Sequence, residues 1–550
     1  MTNITLSING GGTVTVPAGT TLLELSIKYA HVCARPILVA KVDNELQDLS
    51  RKLLYDATVE FLDLTDPNGY RTYQRSCTLL LVYAVKSVLG KKTRVIIDHS
   101  IDKNYFCEIP SIEITQELIA QIEAKMREAV AANHPVTKCT MQKEEAIRLA
   151  AEQGQDDKIR LLKYRHNLTV SFYKLDWLYN YLYGEVAPNT GCIDQFQLVK
   201  RTNGFMLQFP SVGLNYAFSD ISKEMKVAEI FAESSRWARI LKADTVGALN
   251  DKMCVMGSGE IIRVNEALHE KKVAALADQI MQAHHPIVLI AGPSSSGKTT
   301  FAARLAIQLR VNGAVPHIIG LDNYYLDREL CPKDADGNYD FETIDAIDTA
   351  QINKDLQALL AGERVQIPTF NFLTGKREYK GRYLKLSPSD VLIMEGIHGL
   401  NERVSAEVPA SDKFKIFISA MTQINIDDHN RIPTTDTRLV RRIVRDFQYR
   451  GASAAATISM WPSVLRGEAR YIYPHQEQAD AFFNSALVYE MCVLKQYAEP
   501  LLFGLSSNEP QYTEARRLIK FLSSFLGMPS ENIPRNSILR EFIGGSCFSH

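Results

Sequence analysis

The segment Gly292-Pro-Ser-Ser-Ser-Gly297-Lys298-Thr299 sets two glycines, a lysine and a hydroxyl residue at the spacing G-x-x-x-x-G-K-[ST]. It follows an apolar run at 287–291 and precedes helix-forming sequence at 300–309. Glycines let the backbone curl until successive N–H groups face one point at the positive end of a helix, which suits a phosphate chain. The expected cradle is Gly292, Ser294, Ser295, Ser296, Gly297 and Thr300, with Lys298 neutralising phosphate oxygens and the Thr299 hydroxyl on Mg²⁺. A plain Gly/Ser turn would leave the Lys-Thr pair unexplained.

Two carboxylates fall where phosphoryl transfer to a hydroxyl would use them. Asp322 follows the apolar run 317–321 and should project beyond a strand end, able to take a proton or to order a metal. A lone aspartate there would otherwise be a turn or cap residue. Glu395 closes the run Val391-Leu-Ile-Met394, where a buried strand ending in an acid is costly without a cation. Arg438, Arg441, Arg442 and Arg445 recur at spacings of three and four, so they line one face of a helix starting near Asp436, and Arg450 follows. Such a stripe is either a solvated face with Asp446 as partner or a lid that clamps phosphates and excludes water; the phosphate loop favours the lid.

The elements that must carry these residues form a multi-domain α/β chain. Strand-like runs at 287–291, 316–321, 391–395 and 414–419 alternate with helical sequence, the pattern of a parallel sheet with crossover helices. Upstream, residues 1–65 read as a small α+β module with strands at 4–8, 13–16, 37–42 and 59–64 and a helix at 21–29. Residues 66–220 read as a second α+β region with an apolar helix from Thr78, a strand at 94–98 and a charged helix at 116–132. Residues 221–283 read as a helical connector, 284–500 as the phosphate-loop domain, and 501–550 as a helical tail (513–525) with a polar end at 536–550.

At 550 residues, several cores are expected. Lys+Arg 62 against Asp+Glu 63 removes any global electrostatic case for nucleic-acid binding. Nine dispersed cysteines without a Cys-x-x-Cys pair argue against disulfides or a thiolate zinc site and fit a reducing compartment. The start lacks a basic and apolar leader, and no apolar stretch is long enough for a bilayer, so a cytoplasmic protein without membrane contact is expected.

The C-terminal half resembles the uridine kinase and phosphoribulokinase family, particularly uridine–cytidine kinases. The resemblance rests on the phosphate loop, Leu321-Asp-Asn-Tyr-Tyr325, Phe341-Glu-Thr-Ile-Asp-Ala-Ile-Asp348, Pro368-Thr-Phe-Asn-Phe372, Glu395-Gly-Ile397 and Asp436-Thr-Arg-Leu-Val-Arg-Arg-Ile-Val-Arg-Asp446, in family order. It implies Asp322 as base for a ribose 5′-hydroxyl, Tyr325 and Phe370 at the base pocket, and Glu342 and Arg442 on the ribose hydroxyls. Arg445 and Arg450 become lid residues, Thr299 and Glu395 hold magnesium, and ATP or GTP is the donor. The sequence departs from uridine–cytidine kinases at Phe370, where an aromatic hydroxyl is usual, at Gly375 near the pyrimidine-reading histidine, at Ala452 for a lid arginine and at Glu342 for an aspartate. Sites lacking such polar partners discriminate poorly, so the pyrimidine preference does not carry over.

Residues 1–65 resemble the TGS domain of threonyl-tRNA synthetase. Arg75-Ser-Cys-Thr-Leu-Leu-Leu81 and Ile101-Asp-Lys-Asn-Tyr-Phe106 resemble the opening of its editing domain. The synthetase's metal-type histidines and cysteine correspond here to Arg75, Leu79 and positions near Asn189 and Ile193, which implies a module without editing chemistry. The combined expectation is a nucleoside kinase, forming a homo-oligomer, whose N-terminal half serves binding or assembly and could contact RNA. The alternatives are an RNA- or ribosome-associated regulator using the phosphate loop as a switch, and a kinase of another small sugar or alcohol.

Overall fold

The computed structural model describes residues 2–221, 226, 230, 231, 233, 237, 238, 240–333, 337 and 339–548. The N-terminal module is a five-stranded mixed sheet in the order Gly12–Pro17, Asn3–Ile8, Ala57–Leu62, Val39–Val42, Glu45–Gln47. Its helix Leu22–Lys28 starts at a capping box in which Thr21 and Glu24 satisfy each other's backbone N–H groups. The alternating residues Ile4, Leu6 and Ile8 face a small core of their own with Leu22, Leu25 and Phe61.

The second region has a four-stranded antiparallel sheet in the order Gln197–Arg201, Gly204–Gln208, Asn104–Glu108, Ile96–Ile101, with helices Pro67–Leu89 and Gln116–Ala131 in the same core. The first helix begins eleven residues before the expected Thr78. Asp66 caps it, accepting from the N–H groups of Asn68 and Gly69, and Pro67 fits the first turn, where its missing N–H costs nothing. Its polar first half hides the apolar period because Thr72, Gln74 and Ser76 are themselves buried. A three-stranded sheet, Leu178–Asn180, Thr169–Leu175 and Val136–Gln142, follows, with helices Lys143–Glu152 and Asp156–Lys163.

Much of the expected connector at 222–239 lies outside the described residues; beyond it run helices Val246–Met256 and Ser258–Gln282. The C-terminal sheet is parallel throughout, in the order Val315–Gly320, Asp390–Glu395, Ile287–Ala291, Lys413–Ser419, Ala481–Asn484. Ile287–Ala291 is central and wholly buried, as a continuous apolar run should be. Val315–Gly320 is an edge strand, which is why it tolerates Pro316. The fifth strand, Ala481–Asn484, was not apparent in the sequence.

A single apolar cluster joins Phe172 and Leu161 of the second region to Leu276, Ile290 and Phe301, and then to Leu539 and Phe542 of the tail. The loop between Lys413–Ser419 and helix Thr434–Arg450 is fastened to the N-terminal half. Lys158 and Asp427 form a fully buried ion pair at 2.8 Å, and Asp427 with Asp157 holds the ammonium above its ordinary pKa against burial. Arg94 grips Asp428 through Nε at 2.6 Å and Nη2 at 2.8 Å, and Asn425 donates to the carbonyl of Ile97. No described helix is long and apolar enough to cross a membrane.

Candidate active site

The phosphate loop leaves the central strand through a gap only glycine fits: a Cβ on Gly292 would stand 2.0 Å from the carbonyl oxygen of Ile418. Ser295 (φ 58°) and Gly297 (φ 85°) take left-handed conformations that curl the backbone before helix Lys298–Val311 begins. Lys298 folds back over the loop and donates to the carbonyls of Gly292 and Pro293 at 3.0 and 3.2 Å. Burial lowers its pKa, while the charges of Glu395, Asp322 and Glu541 oppose that shift.

Glu395 lies across the sheet from both Ile290 and Gly320, so it ends its strand beside the loop. Thr299 Oγ1 donates to Glu395 Oε1 at 3.1 Å. Burial pushes the Glu395 carboxyl up to about 7, opposed by Lys298 and reinforced by Asp322. Asp322 stands two residues past Gly320, in the turn Leu321–Tyr324. Burial raises its pKa, and Lys298 and Arg450 oppose the rise, so the Asp322 carboxyl lies close enough to the loop lysine and to Arg450 to feel both charges. Two hard oxygen donors in contact, with a second carboxylate nearby, suit a small divalent cation such as Mg²⁺.

The arginine stripe divides. Helix Thr434–Arg450 turns Arg438 and Arg441 fully inward, correcting both the solvated-face and the all-lid reading for these two. Arg438 makes a bidentate pair with Glu468, whose carboxylate also accepts from the N–H of Ser294 at 3.0 Å. Arg441 pairs with Glu490 and reaches the carbonyl of Ser295. Both brace the phosphate loop from behind. Arg442, Arg445 and Arg450 share Asp446, and Arg442 Nη1 also donates to Ser294 Oγ at 2.9 Å.

Tyr325 donates its hydroxyl to the Phe341 carbonyl at 3.0 Å and packs on Phe341 edge-on and on Phe370 at 5.6 Å. Phe372 meets Phe370 edge-on and is 62% exposed. Glu342 lies close enough to Glu468 and Arg442 to feel both; burial and Glu468 push its carboxyl up to about 7, against Arg442. One contact gave no signal in the sequence. Thr300 donates through Oγ1 at 2.8 Å and through N at 3.3 Å to Glu541 Oε2, from the short helix Arg540–Ile543. Ile538 packs on the loop so closely that a Cβ at Gly297 would meet its Cγ2 at 2.5 Å. The expected polar end is therefore docked, with Ile538, Leu539, Phe542 and Ile543 buried.

Residues 287–490 match the Phosphoribulokinase / Uridine kinase family. The match supports a P-loop kinase and hence a nucleotide-binding phosphotransferase. The N-terminal part is similar to threonine–tRNA ligases, among them that of Symbiobacterium thermophilum, 29% identical over 185 residues. The alignment takes in 33% of this chain and 28% of that ligase, so the chain spans under a third of the length of these curated relatives. Solved structures similar to it include a possible uridine kinase from Bacillus stearothermophilus (TM-score 0.27, 18% identity, covering 39% of this chain and 98% of that one). Another is D-glycerate 3-kinase from Cryptococcus neoformans var. grubii (TM-score 0.20, 14% identity, covering 48% and 89%).

Against the uridine kinase pattern, Gly375 is the turn glycine (φ 70°) of the hairpin Thr369–Asn371 with Lys376–Glu378. Arg328 lies over it, so a Cβ there would fall 2.9 Å from the Arg328 side chain, and Arg328 donates to the Phe372 carbonyl at 2.8 Å. In the ligase-like part, Arg75 donates through Nε to the Glu185 carbonyl at 2.9 Å and fills the space over Gly184. Leu79 and Ile193 are core residues, and Asn189 caps the turn Thr190–Cys192.

Proposed function

We propose that the chain transfers the γ-phosphoryl group of ATP or GTP to the 5′-hydroxyl of a nucleoside. The observation that carries this reading is the Thr299–Glu395 contact beside Lys298, with Asp322 electrostatically tied to the same lysine. A nucleotide switch needs the loop and a metal acid; it does not need a second carboxylate and an aromatic wall on the acceptor side.

In this mechanism the loop N–H groups and Lys298 hold the triphosphate, and Thr299 and Glu395 would hold Mg²⁺. The ion, when bound, neutralises phosphate charge. Asp322 accepts the proton of the acceptor hydroxyl as its oxygen bonds to the γ-phosphorus, and the bond from that phosphorus to the bridging oxygen breaks to release the nucleoside diphosphate. Arg445 and Arg450 stabilise charge on the transferring group, while Tyr325, Phe370, Glu342 and Arg442 position the acceptor. A base between Tyr325 and Phe370 would gain stacking without hydrogen-bond readout, which supports broad nucleoside acceptance.

A second reading, another sugar or alcohol as acceptor, is favoured by Gly375 and Phe370, which offer no polar side-chain group to a base. The test is a panel of nucleosides, sugars and small alcohols with purified protein and γ-labelled ATP. A labelled nucleoside monophosphate supports the proposal, whereas label appearing only in a sugar or alcohol phosphate replaces it with the second reading.

A further inference from the structure

A cavity of about 260 Å³ lies far in sequence from the phosphate loop, between the strands Val136–Gln142 and Thr169–Leu175 and the helix Tyr512–Leu522. Lys138, Arg165 and Lys520 line it together with Glu185, Tyr173 and Tyr181. The nearby acids are already used. Lys138 is bound by Asp48 at 2.7 Å and Glu185 at 3.1 Å, and Glu185 also accepts from the Tyr173 hydroxyl at 2.6 Å. Among the described residues, Arg165 and Lys520 have no carboxylate partner. Arg165 lies over the Tyr181 ring and donates to its hydroxyl, and its buried Nε has no partner.

We propose that this cavity binds a small phosphate monoester, its dianion held between Lys520 and Arg165 and its organic part in the space beside Tyr173 and Tyr181. Two cations with no carboxylate in ion-pair contact match one dianion in charge. A planar arginine fork beside a lysine point charge suits phosphate oxygens. The buried Nε without an acceptor is the kind of donor a bound anion completes. The groups facing Lys520 are Glu185, Lys138, Arg75 and Arg165; burial and the three cations, against Glu185, push its pKa down to about 8. A dianion would reverse that, so binding near pH 8 should take up a proton.

The test is calorimetric titration of the full chain with inorganic phosphate and with 5′-AMP. The phosphate loop and the proposed acceptor site are first saturated with Mg²⁺, a non-hydrolysable ATP analogue and adenosine. The expected result is one further binding event for both probes at pH 8. The heat should vary with buffer ionisation enthalpy, reporting proton uptake. Lys520→Met and Arg165→Met should each weaken binding at least tenfold, and Lys520→Arg should keep binding but lose the proton uptake. Thermal melts of each variant separate misfolding from lost contacts, and the wild-type titration decides independently of the variants. Absence of binding by either probe, wild-type affinity in Lys520→Met folded protein, or phosphate binding with 5′-AMP excluded would overturn the proposal.

Discussion

Glu541 and Thr300, 241 residues apart in sequence, are joined at the first turn of the phosphate-loop helix. The carboxylate accepts from both the N–H and the hydroxyl of Thr300, donors that in a phosphate loop face the nucleotide. The tail thus supplies an internal anion to both donors, and a nucleotide phosphate that used them would have to displace it.

We predict that Glu541→Gln tightens ATP binding about tenfold to a hundredfold, since a charge-assisted hydrogen bond lost to the competitor is worth about 1.5–3 kcal/mol. Titration with a fluorescent ATP analogue measures it; equal or weaker binding by the folded variant would remove the displacement step.

Glu342 should make acceptor use pH-dependent. Its carboxyl is pushed up to about 7, so it is protonated below that pH and ionised above it. A ribose acceptor at this carboxyl would donate its hydroxyls to the ionised form. The kcat/KM for the acceptor should therefore rise with pH through about 7 and level off, because kcat/KM reports the free enzyme. Measured with saturating Mg²⁺ and ATP, so that a bound cation keeps Glu395 ionised, Glu342→Gln should remove that inflection while leaving the KM for ATP unchanged, and an inflection retained in the variant would assign it to another group.

The two kinds of arginine on helix Thr434–Arg450 should separate experimentally. Arg441→Met leaves Glu490 buried without its partner and should cost about 3–5 kcal/mol in unfolding free energy, read by chemical denaturation. The Arg450 side chain is 58% exposed and touches Asp446 only at 3.6 Å, so Arg450→Ala should leave stability unchanged. Its kcat should fall about a hundredfold or more if it reaches the transferring phosphoryl group. Unchanged kcat would leave Arg450 a surface residue.

Much of the site could be read from sequence because its pieces are local. Gly292 to Gly297 is one turn between a strand and a helix, and the positions of Asp322 and Glu395 follow from where two apolar runs stop. What escaped depends on long-range packing. A spacing of three and four identifies a helix face but not what it faces, and Arg438 and Arg441 turned inward because Glu468 and Glu490 lie 30 and 49 residues further on. The polar-looking end hid a docking segment because Ile538, Leu539, Phe542 and Ile543 are too few to show a period. Lys158 and Asp427 look like surface charges in sequence, and only the fold buries them together.

The most direct measurement is single-turnover phosphoryl transfer by Asp322→Asn with the best acceptor found for the wild-type enzyme. The account predicts a transfer rate lower by about 10² or more, with ATP affinity and melting temperature retained. A transfer rate equal to wild type would contradict it.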